Sequence, residues 1–179
     1  MIKCGLMLGV LWVVCLPLWG QTLTCKSAQV SFFSSAPLED IEAKSTTAVA
    51  ALNTSTGDVV VKVKNTSFQF AKKLMREHFN ENYMESERFP ISEFRGKVTD
   101  PSILFKPGKY TVPVTGSLQV HGVSKPYEVN VELIVEEGSI QSQATFLVKV
   151  EDHDIRIPAL LGKNIAETVK VTIKARFTP

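Results

Sequence analysis

Hydrophobic residues fall on every second position through most of the chain. Val59, Val61 and Val63 share one face, with Lys62 and Lys64 on the other, and Tyr110, Val112 and Val114 alternate with Thr111, Pro113 and Thr115. Val129, Val131, Leu133 and Val135 alternate with Asn130, Glu132 and Ile134, and Ala144, Phe146, Val148 and Val150 repeat the pattern. Near the end, Val169, Val171, Ile173, Ala175 and Phe177 oppose Lys170, Thr172, Lys174 and Arg176. A looser alternation built on small residues runs from Thr46 to Leu52. Period two predicts half-buried antiparallel strands, one face to a core and one to water. Gly57-Asp58, Pro107-Gly108, the Gly122 to Pro126 segment and Glu136 to Ser139 supply turns between these runs. Strands separated by such turns predict a sandwich or barrel, not βαβ units.

One stretch breaks the rhythm. From Ala71 to Tyr83 the chain reads AKKLMREHFNENY. Leu74, Met75, His78 and Phe79 fall on one helical face and Lys72, Lys73, Arg76 and Glu77 on the other, which predicts an amphipathic helix packed on the strands. Pro101 and Pro107 bracket a loop, Pro158 to Ala166 reads as a short helical turn, and the acidic run Glu39 to Glu42 reads as a solvated loop after Pro37. Strands with a single helix fit a mostly β antiparallel barrel of about eight strands with that helix across its mouth. Such a barrel is just wide enough to fill with side chains or to hold one small ligand, and alternation alone does not choose between the two.

The first twenty residues stand apart. Lys3 precedes an uncharged apolar run from Cys4 to Trp19, and Gly20 comes before polar Gln21. That layout predicts a secretory signal peptide over residues 1–20, a single domain over 21–179, and a periplasmic or secreted protein. The run is short of the roughly 20 residues a spanning helix needs. Val13 and Val14 fit a lipoprotein signal at Cys15 poorly. Without Lys3 the remainder carries 19 basic and 18 acidic residues, a net charge of +1. That balance implies no strongly basic face and argues against a nucleic-acid partner. Of the three cysteines only Cys25 remains, so no intramolecular disulfide forms and the fold rests on its apolar core.

Catalytic chemistry finds little support. The three histidines, His78, His121 and His153, show no H-x-x-x-H spacing, and there is no G-x-S-x-G elbow. Asp152-His153-Asp154 could offer metal-binding groups but reads better as a polar turn. His121 reads as a turn histidine bonded to backbone, and Cys25 as a small core residue or a free thiol near the amino terminus. No catalytic residue, metal or cofactor is assigned. The ten phenylalanines are the more informative feature. Phe68 and Phe70 run into the helical stretch with Leu74, Met75 and Phe79, where a cavity mouth would lie if the helix caps a barrel.

The segment from Phe70 to Phe94 contains F-x-x-x-L-M-x-E-H-F-N-E-N-Y-M-E-S-x-R-F-P-x-x-x-F and closes with Gly96-Lys97-Val98. Farther on come Tyr110-x-Val112, Gly116-x-Leu118 and His121-Gly122-Val123-x-Lys125. Together, in this order, these motifs resemble the YceI-like family of periplasmic lipid-binding proteins, over roughly Ala28 to Phe177. The resemblance implies an extended lipocalin-like barrel that holds a polyisoprenoid, a quinone tail or an acyl lipid, with no catalytic machinery. The amino-terminal third matches the common family pattern poorly. Phe33 to Ala43 and Ile155 to Leu160 are similar to a divergent branch.

The expected function is therefore binding or carriage of a long apolar ligand in the cell envelope. The expected lining of the cavity is Phe68, Phe70, Leu74, Met75, Phe94, Leu118 and Phe146. The alternative is a filled barrel acting as a structural or interaction protein of the envelope.

Overall fold

The computed structural model describes residues 22–35, 40–156 and 167–179. The leader and the helical turn expected at Pro158 to Ala166 lie outside them. Among the described residues nine strands form one antiparallel sheet: β1 (Thr22–Ser34), β2 (Ile41–Asn53), β3 (Asp58–Lys64), β4 (Gln69–Phe70), β5 (Ile91–Val98), β6 (Gly108–Val120), β7 (Val123–Glu136), β8 (Ser139–Lys149) and β9 (Thr168–Phe177). All but the two-residue β4 make an up-and-down meander, and β1 pairs with both β2 and β9, closing an eight-stranded barrel.

Alternation sets the inside. Val114, Val129, Leu133, Val135, Val148, Ala175 and Phe177 are buried, while the lysines, threonines and glutamates between them face out. At one end Leu23, Leu52, Val98, Leu104, Ile140 and Phe177 pack into a closed core. The single bridge between Thr24 and Thr178 draws the two ends of the barrel strands together there.

The amino-terminal third, weakly patterned in sequence, forms two strands of 13 residues each. Ile41 and Glu42 belong to β2 and not to a solvated loop. The inward positions are small and fully covered: Ala28, Ala43, Ser45 and Ala48 are at most 1% exposed. Irregular register on either side of Ala28 further blurs the period. The bracket from Pro101 to Phe105 is a 3-10 turn, started by Asp100, whose carboxylate accepts from the Ser102 amide at 3.0 Å.

The helix arises because β2 outruns β3. The carboxy-terminal half of β2 pairs with β3, and its amino-terminal half pairs with β4 through Ala43 and Lys44. Between these strands a 3-10 turn, Asn65–Ser67, carries the chain off the barrel wall. Ser45 Oγ lies 2.7 Å from Ser67 Oγ, and Ser67 donates to the Lys64 carbonyl at 2.6 Å, which holds the turn to β2. After β4 comes α1 (Lys73–His78), which runs on as a π-helical turn over Phe79–Tyr83. Its signature is the Met84 amide donating to the Phe79 carbonyl at 2.8 Å.

Candidate functional site

The excursion across the barrel end is tied down where it leaves and returns. Asn65 is fully buried. Its amide nitrogen donates to the Phe89 carbonyl at 2.6 Å, its side-chain oxygen accepts from the Ser92 hydroxyl at 2.8 Å, and its backbone N–H donates to the Pro90 carbonyl at 2.9 Å. One asparagine thus joins the outgoing turn to the incoming β5. A side chain satisfied on both sides costs little to bury and would cost much to unpair.

Four phenylalanines link the helix to the wall. The Phe79 ring stacks on Phe32 at 5.4 Å between centroids and meets Phe68 and Phe70 at 5.6 and 5.1 Å. Phe32 and Phe68 close the group at 5.3 Å. These separations are those of favourable tilted and offset ring pairs.

Between this cluster and the barrel wall lies a chamber of about 470 Å³. Its wall is mostly apolar: Val30 and Phe32 from β1, Val61 and Val63 from β3, Leu118 and Val120 from β6, Phe146 and Val148 from β8, and Val169, Val171 and Ile173 from β9. Ser34, Asn65, His78, Tyr83 and Ser92 add polar groups. Burial pushes the Tyr83 phenol above its ordinary value. A second pocket of about 60 Å³ lies farther down the barrel, between Leu52, Val98, Leu104, Val114 and Phe177.

Of the residues expected on the lining, Phe68, Phe70, Met75, Phe94, Leu118 and Phe146 all stand on the chamber wall. Leu74 does not: it is 60% exposed and faces away. The expected packed face of Leu74, Met75, His78 and Phe79 reduces to half-buried Met75 and Phe79, with the exposed His78 at the chamber's edge. The cause is the helix itself. Leu74 and Met75 are neighbours separated by about 100° around the axis, and this six-residue helix turns Met75 to the chamber and Leu74 to water. The π turn then carries Tyr83 and Met84 onto the wall. Val30, Val63, Val120 and Val171 were absent from the expected lining, and their inward alternation is the signal that could have placed them there.

His121 and His153 come together, but neither lies on the wall of the chamber or of the small pocket. His153 is fully buried. It donates from Nδ1 to the Val123 carbonyl at 3.0 Å and accepts from the Tyr127 hydroxyl at Nε2 at 3.3 Å. His121 donates from Nδ1 to the His153 carbonyl at 3.2 Å, and its Nε2 lies 3.3 Å from Glu85 Oε1. The pair therefore joins the β6–β7 turn to the turn after β8 and to the exit of the helix. Asp152 and His153 lie in a 3-10 turn that ends at Asp154 in left-handed conformation. Among the described residues no group of His, Cys, Asp and Glu could hold a metal ion. Cys25 is a buried free thiol in β1, opposite Ala50.

A closed antiparallel barrel, one capping helix and an apolar chamber beneath it define a lipocalin-like binding fold. The model of the YceI-like domain matches residues 22–177, and the chain belongs to that family. No curated protein matches the sequence. Among solved structures it is similar to a polyisoprenoid-binding domain from Saccharophagus degradans implicated in plant cell wall breakdown. The two share 15% identity with a TM-score of 0.76, over 88% of this chain and 97% of that one. It is also similar to BcnA of Burkholderia cenocepacia, at 15% identity and TM-score 0.69, over 83% of this chain and 95% of the other. The YceI protein of Campylobacter jejuni follows at 14% identity and TM-score 0.56, over 99% and 93%. At these identities the likeness is one of fold.

Proposed function

We propose that this protein holds a long apolar molecule, an isoprenoid or an acyl lipid, in its barrel interior, as a carrier or sequestering module of the cell envelope and not as an enzyme. The observation that carries the reading is the chamber of about 470 Å³ between the Phe32–Phe68–Phe70–Phe79 cluster and the barrel wall. A wall so poor in polar groups recognises shape and apolar area, and gives loose selectivity for a head group. Energetics favour a long chain. Burying ten methylenes is worth roughly 8 kcal/mol, against an association cost on the order of 4–15 kcal/mol. The polyisoprenoid binding described for the Saccharophagus domain supports the same class of ligand by family membership. The chamber also weighs against a filled barrel.

Export rests on the leader reading of residues 1–20. Amino-terminal sequencing of the protein from its native compartment should begin near Gln21, and a chain still starting at Met1 would overturn that part. Binding is tested by native mass spectrometry of the purified protein, followed by solvent extraction. A co-purifying lipid is expected. A protein that carries none and takes up none after exposure to membrane extract is a filled barrel in function.

A further inference from the structure

Three neighbouring strands of the barrel carry no acid. β8, β9 and β1 lie side by side in the sheet. Their sequences hold Lys26, Lys149, Lys170, Lys174 and Arg176 and no aspartate or glutamate. All these cations are exposed. Elsewhere the wall is mixed: β7 carries Glu128, Glu132 and Glu136, and in β5 Glu93 is held by Lys62 and Arg95. Lys149 pairs with Glu151, just beyond its strand. Lys26, Lys170, Lys174 and Arg176 make no ion pair among the described residues. Carboxylates border the face only at its margins. Glu42 on β2 is opposite Phe33, Glu132 on β7 is opposite Gln143, and Glu136 accepts from Ser139 and Gln141.

Strand register lines the outward residues up in rows. At the chamber end Leu147, Lys170 and Phe33 lie across from one another on β8, β9 and β1. Lys170 Nζ is 5.4 Å from the centre of the Phe33 ring, and Leu147 is 64% exposed. Next come Thr145, Thr172 and Ser31, then Gln143, Lys174 and Gln29, then Gln141 and Arg176. From Lys170 to Arg176 the face runs about 20 Å along β9. The inward neighbours at the chamber end of the same strands, Phe32, Phe146, Val148 and Val171, are chamber wall.

Cations that no carboxylate offsets raise a positive potential along one flank, although the whole chain has a net charge of only +2. The first row sets two apolar side chains around a lysine. That combination suits a bilayer interface, where the apolar groups enter the acyl boundary and the ammonium reaches the head groups. Cations spread along an open strand meet the phosphates of a lipid layer at any spacing, whereas an acidic protein would have to match them one by one. We propose that the β8–β9–β1 face docks the protein on its flank against an anionic lipid bilayer, with Leu147 and Phe33 in the head-group layer beside the chamber. This goes beyond the choice of cargo and does not depend on what the chamber holds.

Flotation with two kinds of vesicle tests it: phosphatidylcholine alone, and phosphatidylcholine with about a third phosphatidylglycerol. Protein purified from its native compartment should float with the anionic vesicles at low salt and not with the neutral ones. It should come off in about 1 M salt, where the Debye length is about 3 Å. A cation near an anionic surface is worth about fivefold in binding, so Lys170→Gln, Lys174→Gln and Arg176→Gln together should weaken it about a hundredfold. Lys97→Gln, Lys109→Gln and Lys125→Gln remove the same charge from β5, β6 and β7 and should weaken it far less. Leu147→Ser should cost about tenfold. All these positions are exposed, and thermal melts establish that the variants are folded. Equal binding to both kinds of vesicle, binding indifferent to salt, or no binding to either overturns the proposal. Equal losses in the two triple variants overturn the face as the docking site. If vesicles fail to bind but soluble polyglutamate shifts the Lys170 and Lys174 amide signals, the face serves an acidic partner and the membrane proposal fails. None of these outcomes depends on the chamber, whose cargo is read separately by extraction.

Discussion

The ring of Phe94 lies so close over Gly96 that a β-carbon there would come 2.6 Å from the ring's Cε1. Across the β5–β6 ladder Gly96 is paired with Gly116, where a β-carbon would come 2.2 Å from the Arg95 carbonyl oxygen. The two glycines make a flat patch on the inner wall, which marks a close approach within a strand.

That patch gives an ordered pair of outcomes. Gly96→Ala pushes against a ring edge and the Thr115 carbonyl, and should cost about 1–3 kcal/mol by overpacking. Gly116→Ala pushes against backbone and should cost more. Urea unfolding of the two variants measures both. A Gly96→Ala protein as stable as the parent would show that the ring is not seated there.

The helix gives a contrast between two apolar residues. Leu74→Asp, on the exposed side, should change stability by no more than about 0.5 kcal/mol. Phe79→Asp breaks the four-ring cluster and places a carboxylate against it, and should cost about 2 kcal/mol or more. It should also weaken displacement of a fluorescent fatty probe. Equal effects from the two substitutions would mean that the helix does not sit on the barrel through Phe79.

Glu93 gives stability a pH dependence. Burial alone pushes its carboxyl up, but hydrogen bonds and charge from Lys62 and Arg95 outweigh that and hold it below its ordinary 4.5. Lys62 Nζ lies 2.8 Å from its Oε2. Because the folded value is depressed, the stabilisation is fully present above the unfolded value and is lost as pH falls through the folded one. Lys62 is 42% exposed, so the pair is worth only about 0.2–1 kcal/mol. Glu93→Gln should remove that increment at neutral pH and flatten the corresponding part of the acid slope. Chemical unfolding from neutral to acid pH on both proteins measures it, and parallel slopes would contradict the pairing.

Strands were legible in the sequence wherever large apolar residues took the inward positions, as in Val129 to Val135 and Val169 to Phe177. They faded where Ala28, Ala43, Ser45 and Ala48 did so, because small buried residues look neither apolar enough nor regular enough to declare a face. The helix was legible in place, but its inward side was not. A search for a 3.6-residue period joins Leu74 to Met75 and His78, and does not register the change to a π turn at Phe79. Six of the seven expected lining residues stand on the chamber wall because they face inward. Inward facing is all that alternation reports. The same valines and phenylalanines would read identically in a solid interior, and the space between them depends on how β2, the Asn65 tie and the helix meet in three dimensions.

Every strand pairing in the barrel but one joins strands that are close along the chain. The exception is β1 with β9, where Phe32 meets Val171. Its loop-closure entropy must be met before its contacts repay it, so it is the natural last event in folding. Until it forms, the meander is an open ribbon, and β1 and β9 each lack a partner on one side. Two-state β proteins of this kind fold in roughly milliseconds to seconds. A chain stopped short of Thr168 would never leave the open state, and should collect as aggregate instead of a smaller barrel.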